Sequence, residues 1–292
     1  MSTHTPNNFD SVISLWRYPI KSMMGEELNS VVVGERGVVG DRARALVDDE
    51  SGQVVSAKNP KKWPDFFAFR AAYVEPIKSD KELPTVWINL PDGKVVRSDQ
   101  ADINQELSSA LHRHVSLKTQ APPNPALEQY HPEMDVPADI GASDSIVTEE
   151  RIAGDAPDGT FFDYATIHLL TTATLERLRE LYPQGRFEAR RFRPNIVVRP
   201  GSDAKDFVEN EWVGRTLFIG EEVKLRVTDP CPRCVMTTLP QGDLPRDLGI
   251  LRTAVHNNVH VPFAQKALPS VGVYAKVLQG GTIRRGDMIT IE

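Results

Sequence analysis

The chain has 292 residues, of which 40% are hydrophobic and 25% charged, and this composition is typical of a folded protein with one or two domains. Its net charge of -6 excludes a general attraction to nucleic acids or anionic membranes, so any anion site must be local. No apolar run approaches the roughly 18 residues of a membrane span. Because the first residues also lack the pattern of an export signal, we expect a cytoplasmic protein with no nucleic-acid or membrane partner.

The first half of the chain is predicted to be rich in short strands. Residues 12–20 combine β-branched and aromatic side chains and end near Pro19, and three further candidates cover residues 29–33, 43–48 and 53–56. Glycines and a Ser-Gly turn separate these segments. Strands this short and this closely spaced favour a β-rich sandwich or barrel over alternating strands and helices.

A helix and then a change of composition follow these strands. Apolar residues at four-residue spacing after Asp102 predict a helix over residues 102–114, with its apolar stripe packed on the first sheet. Prolines, glycines and acidic residues dominate residues 121–159, which indicates a connecting segment. The predicted domains are therefore an N-terminal β-rich domain over residues 9–120 and a second domain over residues 160–292.

The second half is predicted to contain one clear helix among further strands. Thr172 is expected to cap this helix, whose Leu175, Leu178 and Tyr182 form one buried stripe and which ends before Pro183. The expected fold class is mainly β (α+β), with few short helices, a sheet that closes as a barrel, and a cleft shared by the two domains. The strands predicted here cover residues 167–170, 193–199, 216–219, 223–228, 271–278 and 288–291.

The two cysteines of the chain, Cys231 and Cys234, lie in the segment TDPCPRCVMTT and are the only candidate thiolate ligands for a soft metal. Arg233 beside Cys234 would favour the thiolate form. A disulfide, a thioredoxin-like redox pair and a small buried hydrophobic residue are alternatives. A zinc site with His256 and His260 is a further alternative, although the 21 residues between Cys234 and His256 exceed the spacing of a zinc finger.

Clusters of basic and polar residues lie near several predicted strand ends. Arginine forks match phosphate oxygens and a hydroxyl adds another donor, so together the clusters indicate a phosphorylated ligand. Solvated surface charge is the alternative for each cluster, and pyridoxal phosphate on Lys21 is another, although no feature supplies a partner for its pyridinium nitrogen. The clusters are Lys21 with Ser22, Asp41 with Arg42, the run RFEARRFRPN with Arg186, Arg190, Arg191, Arg193 and Asn195, and Arg233 beside Cys234.

Five motifs together resemble a known family. WRYPIKS, GDRARALVD, FFDYATIHLLTTATLERL, RFRPNIVV and PCPRCVMTT occur in this order in proteins that join an N-terminal β-barrel-like domain to a MOSC domain, the C-terminal module of molybdenum cofactor sulfurase. Within that group the chain is most similar to the mitochondrial amidoxime-reducing component and its bacterial relatives. The resemblance spans nearly the whole chain and implies a MOSC β-barrel packed with an N-terminal β-rich domain.

The resemblance also implies the site residues. The family cysteine that coordinates molybdenum matches Cys234, and the family aspartate near the metal matches Asp163, which makes these two the expected catalytic residues. Two departures fall on contact positions, since Tyr164 with Ala165 replaces a threonine and a serine, and Pro232 replaces a serine that lies between the family's two cysteines. The residues expected to bind the pterin and phosphate of the molybdenum cofactor are Lys21, Ser22, Arg42, Tyr164, Arg193, Asn195 and Arg233.

The implied activity is the two-electron reduction of small N-hydroxylated compounds by removal of an oxygen atom. Electrons would come from a separate reductase or ferredoxin, because two cysteines cannot hold an iron–sulfur cluster alongside the molybdenum ligand. A MOSC-type carrier of sulfur or of the molybdenum cofactor is the alternative, with both cysteines exposed as persulfide carriers. A fold that only stores the cofactor is a third possibility.

Overall fold

The structure is a computed structural model that describes residues 10–78, 82–132, 147–201, 204–263 and 265–292. Residues 133–146 of the predicted connecting segment, and the first residue of the predicted N-terminal domain, lie outside the described residues. The helices are α1 (Ile103–Leu111), α2 (Thr172–Leu181), α3 (Ala189–Phe192) and α4 (Gly249–Asn257). The strands are β1 (Asp10–Arg17), β2 (Glu26–Leu28), β3 (Ser30–Gly34), β4 (Gly37–Val38), β5 (Ala45–Asp48), β6 (Arg70–Tyr73), β7 (Val86–Asn89), β8 (Val95–Arg97), β9 (Val115–Lys118), β10 (Ala126–Tyr130), β11 (Val147–Arg151), β12 (Ile167–Thr171), β13 (Ile196–Arg199), β14 (Thr216–Ile219), β15 (Val223–Pro232), β16 (Val259–His260), β17 (Leu268–Gln279), β18 (Gly281–Arg284) and β19 (Met288–Ile291).

Seven strands close into a barrel in the order β12-β13-β1-β19-β14-β15-β17, with β17 pairing back to β12. Neighbouring strands are antiparallel except for the parallel pair β12 and β13. Closure leaves these strands without free edges, and apolar side chains such as Leu15, Leu169, Ile196 and Leu225 fill the interior. The predicted fold class, mainly β with few short helices and a closed barrel, is confirmed.

The first strand of the chain belongs to this barrel. β1 pairs with β13 and β19, so residues predicted in the N-terminal domain form part of the barrel wall. β3 likewise pairs with β18 from the end of the chain. The two halves of the sequence are therefore interleaved in space.

Strands β5 to β9 of the N-terminal half build a second β-rich body around its own apolar core. β6, β7 and β8 form one sheet, β5 pairs with β9, and the buried stripe of α1 packs on this core. The core also takes in Val235, Met236 and Leu239, which follow Cys234 directly in the chain. The cysteine segment thus leaves the barrel and is anchored in the other body.

Several element boundaries differ from the sequence prediction. The strand predicted at residues 53–56 is wrong, since only an isolated bridge between Val47 and Val54 forms there. The cap of α2 is Thr171, whose side chain accepts the Thr174 N–H, and not Thr172. The strand predicted from Arg193 begins at Ile196, because Arg193 has a left-handed backbone with φ of 56° that no strand accommodates. The predicted connecting segment contains the hairpin of β10 and β11.

Candidate functional site

A cavity of about 890 Å³ lies where the barrel meets the N-terminal body. Several residues that line the cavity lie in loops next to barrel strands. Lys21 follows β1, and Cys234 follows β15. Asp163 and Tyr164 come just before β12, and Arg193 follows α3. The predicted site residues that line this cavity are Lys21, Ser22, Arg42, Asp163, Tyr164, Arg193, Arg233 and Cys234.

Asn195 is the predicted site residue that does not line the cavity. Its side-chain oxygen accepts the His168 N–H at 3.1 Å, and its amide nitrogen donates to the Trp16 carbonyl at 3.3 Å. Both ends of the amide are therefore engaged with the backbone of barrel strands. A role for Asn195 as a cofactor ligand stays a prediction.

Three of the predicted site residues have an unusual backbone. Ser22, Arg42 and Arg193 have φ angles of 64°, 47° and 56°, in the left-handed region that non-glycine residues seldom occupy. Such conformations cost of the order of 1 kcal/mol or more each and persist where the surroundings fix them, often at functional sites. They aim three polar side chains into one cavity from three separate loops.

An ion network surrounds Asp163, whose carboxylate accepts hydrogen bonds from Lys21. Lys21 Nζ also donates to the Phe161 carbonyl at 2.7 Å, and Lys58 Nζ lies 3.4 Å from the second Asp163 oxygen and 3.2 Å from Glu150. Burial alone would raise the pKa of Asp163, but Lys21 and Lys58 outweigh it and hold this pKa well below its usual range. Asp163 is therefore ionised, although it faces the cavity.

The pKa values of the two lysines in this network are shifted in opposite directions. Burial lowers the pKa of Lys21 to about 8, because the attraction of Asp163 offsets only part of the desolvation. Burial also acts to lower the pKa of Lys58, but Asp163, Glu150 and Cys234 outweigh it and raise this pKa above its ordinary value. Lys21 is thus the lysine here whose charge changes nearest to neutral pH.

Two arginines flank the ring of Tyr18 beside the network. The Arg42 guanidinium pairs with Asp41 and lies 4.9 Å from the ring centre, and that of Arg193 lies 4.1 Å from it. Both terminal nitrogens of Arg193 are buried and have no hydrogen-bond partner among the described residues. Burial lowers the pKa of Arg193 to about 10. Unpartnered buried donors of this kind are rare and point to a missing acceptor.

A third arginine lies between the two cysteines. Arg233 donates to Cys231 Sγ at 2.8 Å and to the Phe192 carbonyl at 2.8 Å, while its Nε has no partner in the described part of the chain. Both cysteines line the cavity, but Cys231 is only 1% exposed, whereas Cys234 is half-buried. Burial raises the pKa of the Cys234 thiol, against the opposing pull of Lys58 and Arg233. A metal bound there would displace the proton.

The geometry bears on three alternatives, namely a disulfide, a zinc site with His256 and His260, and pyridoxal phosphate on Lys21. Both cysteines are free thiols. The described residues contain no group of three or more His, Cys, Asp and Glu side chains placed to hold a metal, and His256 lines a different surface cavity. Lys21 Nζ is engaged with Asp163 and the Phe161 carbonyl.

Sequence reasoning missed several residues of the cavity wall. Lys58 follows a segment that was predicted as a strand, and a lysine at a predicted strand end is the signal that pointed to Lys21. His168 and Tyr274 sit within β12 and β17, where the sequence shows only ordinary strand residues. No pattern near Phe263 marked it as part of a site.

The residues present fit an anionic, thiolate-bound metal cofactor. The unpartnered nitrogens of Arg193 and Arg233 require anionic or carbonyl acceptors, and phosphate oxygens match guanidinium forks. Cys234 opens onto the same cavity and offers a soft ligand to a soft metal. The cavity therefore combines unpartnered guanidinium donors with one half-buried thiol that could bind a metal.

The fold is a closed β-barrel that shares a basic, thiol-bearing cavity with a second β-rich body. A family model described as the MOSC domain matches residues 156–290, and one described as the MOSC N-terminal beta barrel domain matches residues 9–127. The chain therefore belongs to the MOSC domain proteins that carry an N-terminal MOSC β-barrel domain. MOSC domains are a family associated with the molybdenum cofactor. The boundaries predicted at residues 120 and 160 stay predictions.

Comparisons with other proteins are more distant. No curated protein matches the sequence. The chain is similar to the YuaD protein from Bacillus subtilis, with 11% identity, coverage of 97% of this chain and 94% of that chain, and a TM-score of 0.43. YiiM from Geobacillus stearothermophilus shows 20% identity over 44% of this chain and 54% of its own, with a TM-score of 0.29. Every helix in the described ranges is too short or too polar to cross a lipid bilayer.

Proposed function

We propose that the protein is a molybdenum-cofactor-dependent reductase of small N-hydroxylated compounds, with Cys234 as the protein ligand of the metal. One observation carries this proposal. The buried Arg193 nitrogens that have no partner among the described residues line the same cavity as the half-buried Cys234 thiol. The arginine donors would hold the phosphate of a metal-carrying pterin, and the thiolate of Cys234 would hold its metal.

The other residues of the cavity have roles consistent with this proposal. When bound, the cofactor supplies two-electron oxygen-removal chemistry, and the protein supplies binding and orientation. Arg42, Arg193 and Arg233 would neutralise the cofactor phosphate, and the Ser22 hydroxyl would add a donor. Asp163, which Lys21 and Lys58 keep ionised, accepts hydrogen bonds and orients donors near the metal.

Proton delivery to the reacting oxygen falls to Lys21 in this proposal. Its pKa of about 8 places a proton on Nζ at neutral pH and makes that proton easier to release than that of an ordinary lysine. Asp163 with its depressed pKa holds no proton to give. Substrate specificity, the separate reductase or ferredoxin that supplies electrons, and the cytoplasmic location stay predictions.

The alternative function is a carrier of sulfur or of the cofactor. A persulfide carrier needs an accessible thiol, and this alternative expects both cysteines to be exposed, which the 1% exposure of Cys231 does not suit. The hydrogen bond from Arg233 to Cys231 Sγ supports a structural part for this residue. We therefore favour the reductase.

The proposal is tested with Cys234→Ser and its matched control Cys231→Ser, both produced in a host that makes the cofactor. Serine offers a hard oxygen in place of a thiolate, so we expect at least about tenfold less molybdenum in Cys234→Ser by elemental analysis, with loss of benzamidoxime reduction by an artificial donor. Cys231→Ser keeps an acceptor for Arg233 and should retain its metal.

Three other outcomes would count against the reductase. Equal molybdenum in Cys234→Ser and the wild type would overturn the ligand assignment. Alkylation of both cysteines in the cofactor-loaded protein would favour the carrier. A loaded protein that binds molybdenum through Cys234 but reduces no N-hydroxylated compound would leave cofactor storage as the function.

A further inference from the structure

One wall of the cavity is aromatic and lies beside the ion network. Tyr164 and Phe263 stack with ring centres 3.4 Å apart and planes inclined by 11°. Tyr274 lies against both, with ring centres 5.7 Å from Tyr164 and 6.4 Å from Phe263. All three residues line the cavity that Cys234 faces. We call Tyr164, Phe263 and Tyr274 the aromatic wall.

The framework of the protein fixes the positions of Tyr164 and Tyr274, two members of this wall. A Cβ atom placed on Gly154 would lie 2.8 Å from the Tyr164 ring, so the backbone at Gly154 packs directly on Tyr164. Tyr274 stands on β17 opposite Asp229 of β15, the strand that carries Cys231 and leads to Cys234. Tyr164 also follows Asp163 directly in the chain. The aromatic wall therefore adjoins both the cysteine segment and the ion network.

The wall offers apolar surface to the cavity. Phe263 has no polar atom and is 40% exposed, so its ring presents apolar area beside two other rings. Burial, with Asp229 nearby, raises the pKa of Tyr164 to about 12, so its ring carries no charge at neutral pH. The basic residues beyond it include Lys21, Arg42 and Arg193. The cavity thus has one charged face and one flat apolar face.

We propose that the aromatic wall is a substrate subsite that binds the planar aromatic part of an N-hydroxylated compound, with Phe263 as its main contact. This proposal rests on the function proposed above and names the substrate class. An aromatic pair contributes about 0.5–1.5 kcal/mol beyond the area that it buries. An aromatic group on the wall would point its polar end toward the ion network and the metal site. Tyr164 would then contact substrate, and not the cofactor as the resemblance implies.

The subsite is tested in the cofactor-loaded protein by comparing benzamidoxime, which has a ring, with acetamidoxime, which has none. The dissociation constants of both compounds are measured by calorimetry for the wild type and for Phe263→Ala. We expect the wild type to prefer benzamidoxime, and Phe263→Ala to lose about tenfold of that preference. Phe263→Tyr, which keeps a ring, should restore it. Val261→Ala removes an apolar side chain that is 67% exposed and lies outside the cavity lining, and it should leave the preference unchanged.

The outcomes separate this proposal from the reductase function. An unchanged preference in Phe263→Ala, or equal weakening of both compounds, would overturn the subsite. A wild type that binds benzamidoxime through Phe263 but does not reduce it would overturn the reductase and leave the subsite standing. Unfolding curves of each variant confirm that the comparison is made on folded protein.

Discussion

Two buried arginines, Arg191 and Arg193, lie two residues apart at the end of α3 and have opposite surroundings. Arg191 is fully buried and donates to the carbonyls of Arg186, Thr237, Leu239 and Pro245 at 2.8–3.2 Å. Arg193 is 5% exposed, yet its two terminal nitrogens have no partner within the described ranges. A buried cation bonded on every side is part of the framework, whereas one with unpartnered donors in a cavity awaits a ligand.

The framework role of Arg191 bears directly on the site. The carbonyls of Thr237 and Leu239 follow Cys234 by a few residues, and Arg191 connects them to α3 and to the loop at Pro245. Because Val235 and Met236 also pack in the core of the N-terminal body, the cysteine is fixed from two sides. Arg191 therefore positions the candidate metal ligand without facing the cavity.

Substitution of Arg191 should lower the free energy of unfolding more than the other substitutions should. It therefore tests the contrast between Arg191 and Arg193 most directly. In Arg191→Met four main-chain carbonyls lose a charged donor, so we expect the free energy of unfolding to fall by about 3–5 kcal/mol. Urea unfolding of the cofactor-free protein measures this. Arg190→Met is the matched control, since Arg190 is partly exposed, pairs with Glu188 and Asp243, and should cost less than about 1 kcal/mol. Equal losses in the two variants would contradict the framework role.

His168 is a further buried residue of the cavity wall, and its protonation should make the stability of the protein depend on pH. His168 Nε2 lies 3.2 Å from the Val271 carbonyl, and burial, with Arg233 nearby, lowers the pKa of His168 to about 3. Between pH 6.5 and 3 the unfolded chain takes up a proton that the folded protein excludes, so stability is lost as the pH falls through this window. This loss reaches about 2 kcal/mol at pH 5.

His168→Gln measures the share of acid lability that belongs to this one ring. Glutamine cannot take up the proton, so the free energy of unfolding should fall less between pH 7 and 5 in the variant than in the wild type. Urea unfolding at the two pH values gives both numbers. If the wild type and the variant lost the same free energy, His168 would not be the neutral buried group inferred here.

The sequence predicted much of the fold because local patterns carry it. The strands at Thr216–Ile219 and Met288–Ile291 were placed at their observed bounds, since each is a short apolar run between turn residues. The pairing of β1 with β13 and β19 was not predictable, because partners distant in the chain leave no local signal. For the same reason a strand was predicted over residues 53–56, where only an isolated bridge between Val47 and Val54 forms.

Site residues that belong to a sequence motif were predictable. Residues whose role depends on tertiary packing were not. Arg193 and Cys234 came from their motifs, and the structure brings both to one cavity. The Asn195 amide, bonded to the backbone of barrel strands, shows that a residue in a motif can serve the framework. The contrast between Arg191 and Arg193 was invisible in the run ARRFRPN, because it depends on which carbonyls the fold brings within reach of each guanidinium.

Arg193→Met gives the smallest effect on stability and tests the other half of the comparison. The variant loses the contact with the Tyr18 ring but also removes two buried donors that have no partner among the described residues, so the free energy of unfolding of the cofactor-free protein should change by less than about 1 kcal/mol. The affinity for the cofactor should fall about tenfold, because one charged donor pair to an anion is lost.

The loss of cofactor affinity in Arg193→Met is measured as molybdenum and released pterin per protein. The protein is produced in a host that makes the cofactor. Arg199→Met, at the exposed end of β13, is the matched control and should change neither quantity. A variant that is as unstable as Arg191→Met yet keeps its full cofactor content would make Arg193 a second framework arginine. Full stability with depleted cofactor is the pattern that we expect. It would establish that unpartnered donors, and not burial as such, mark the binding residues of this cavity.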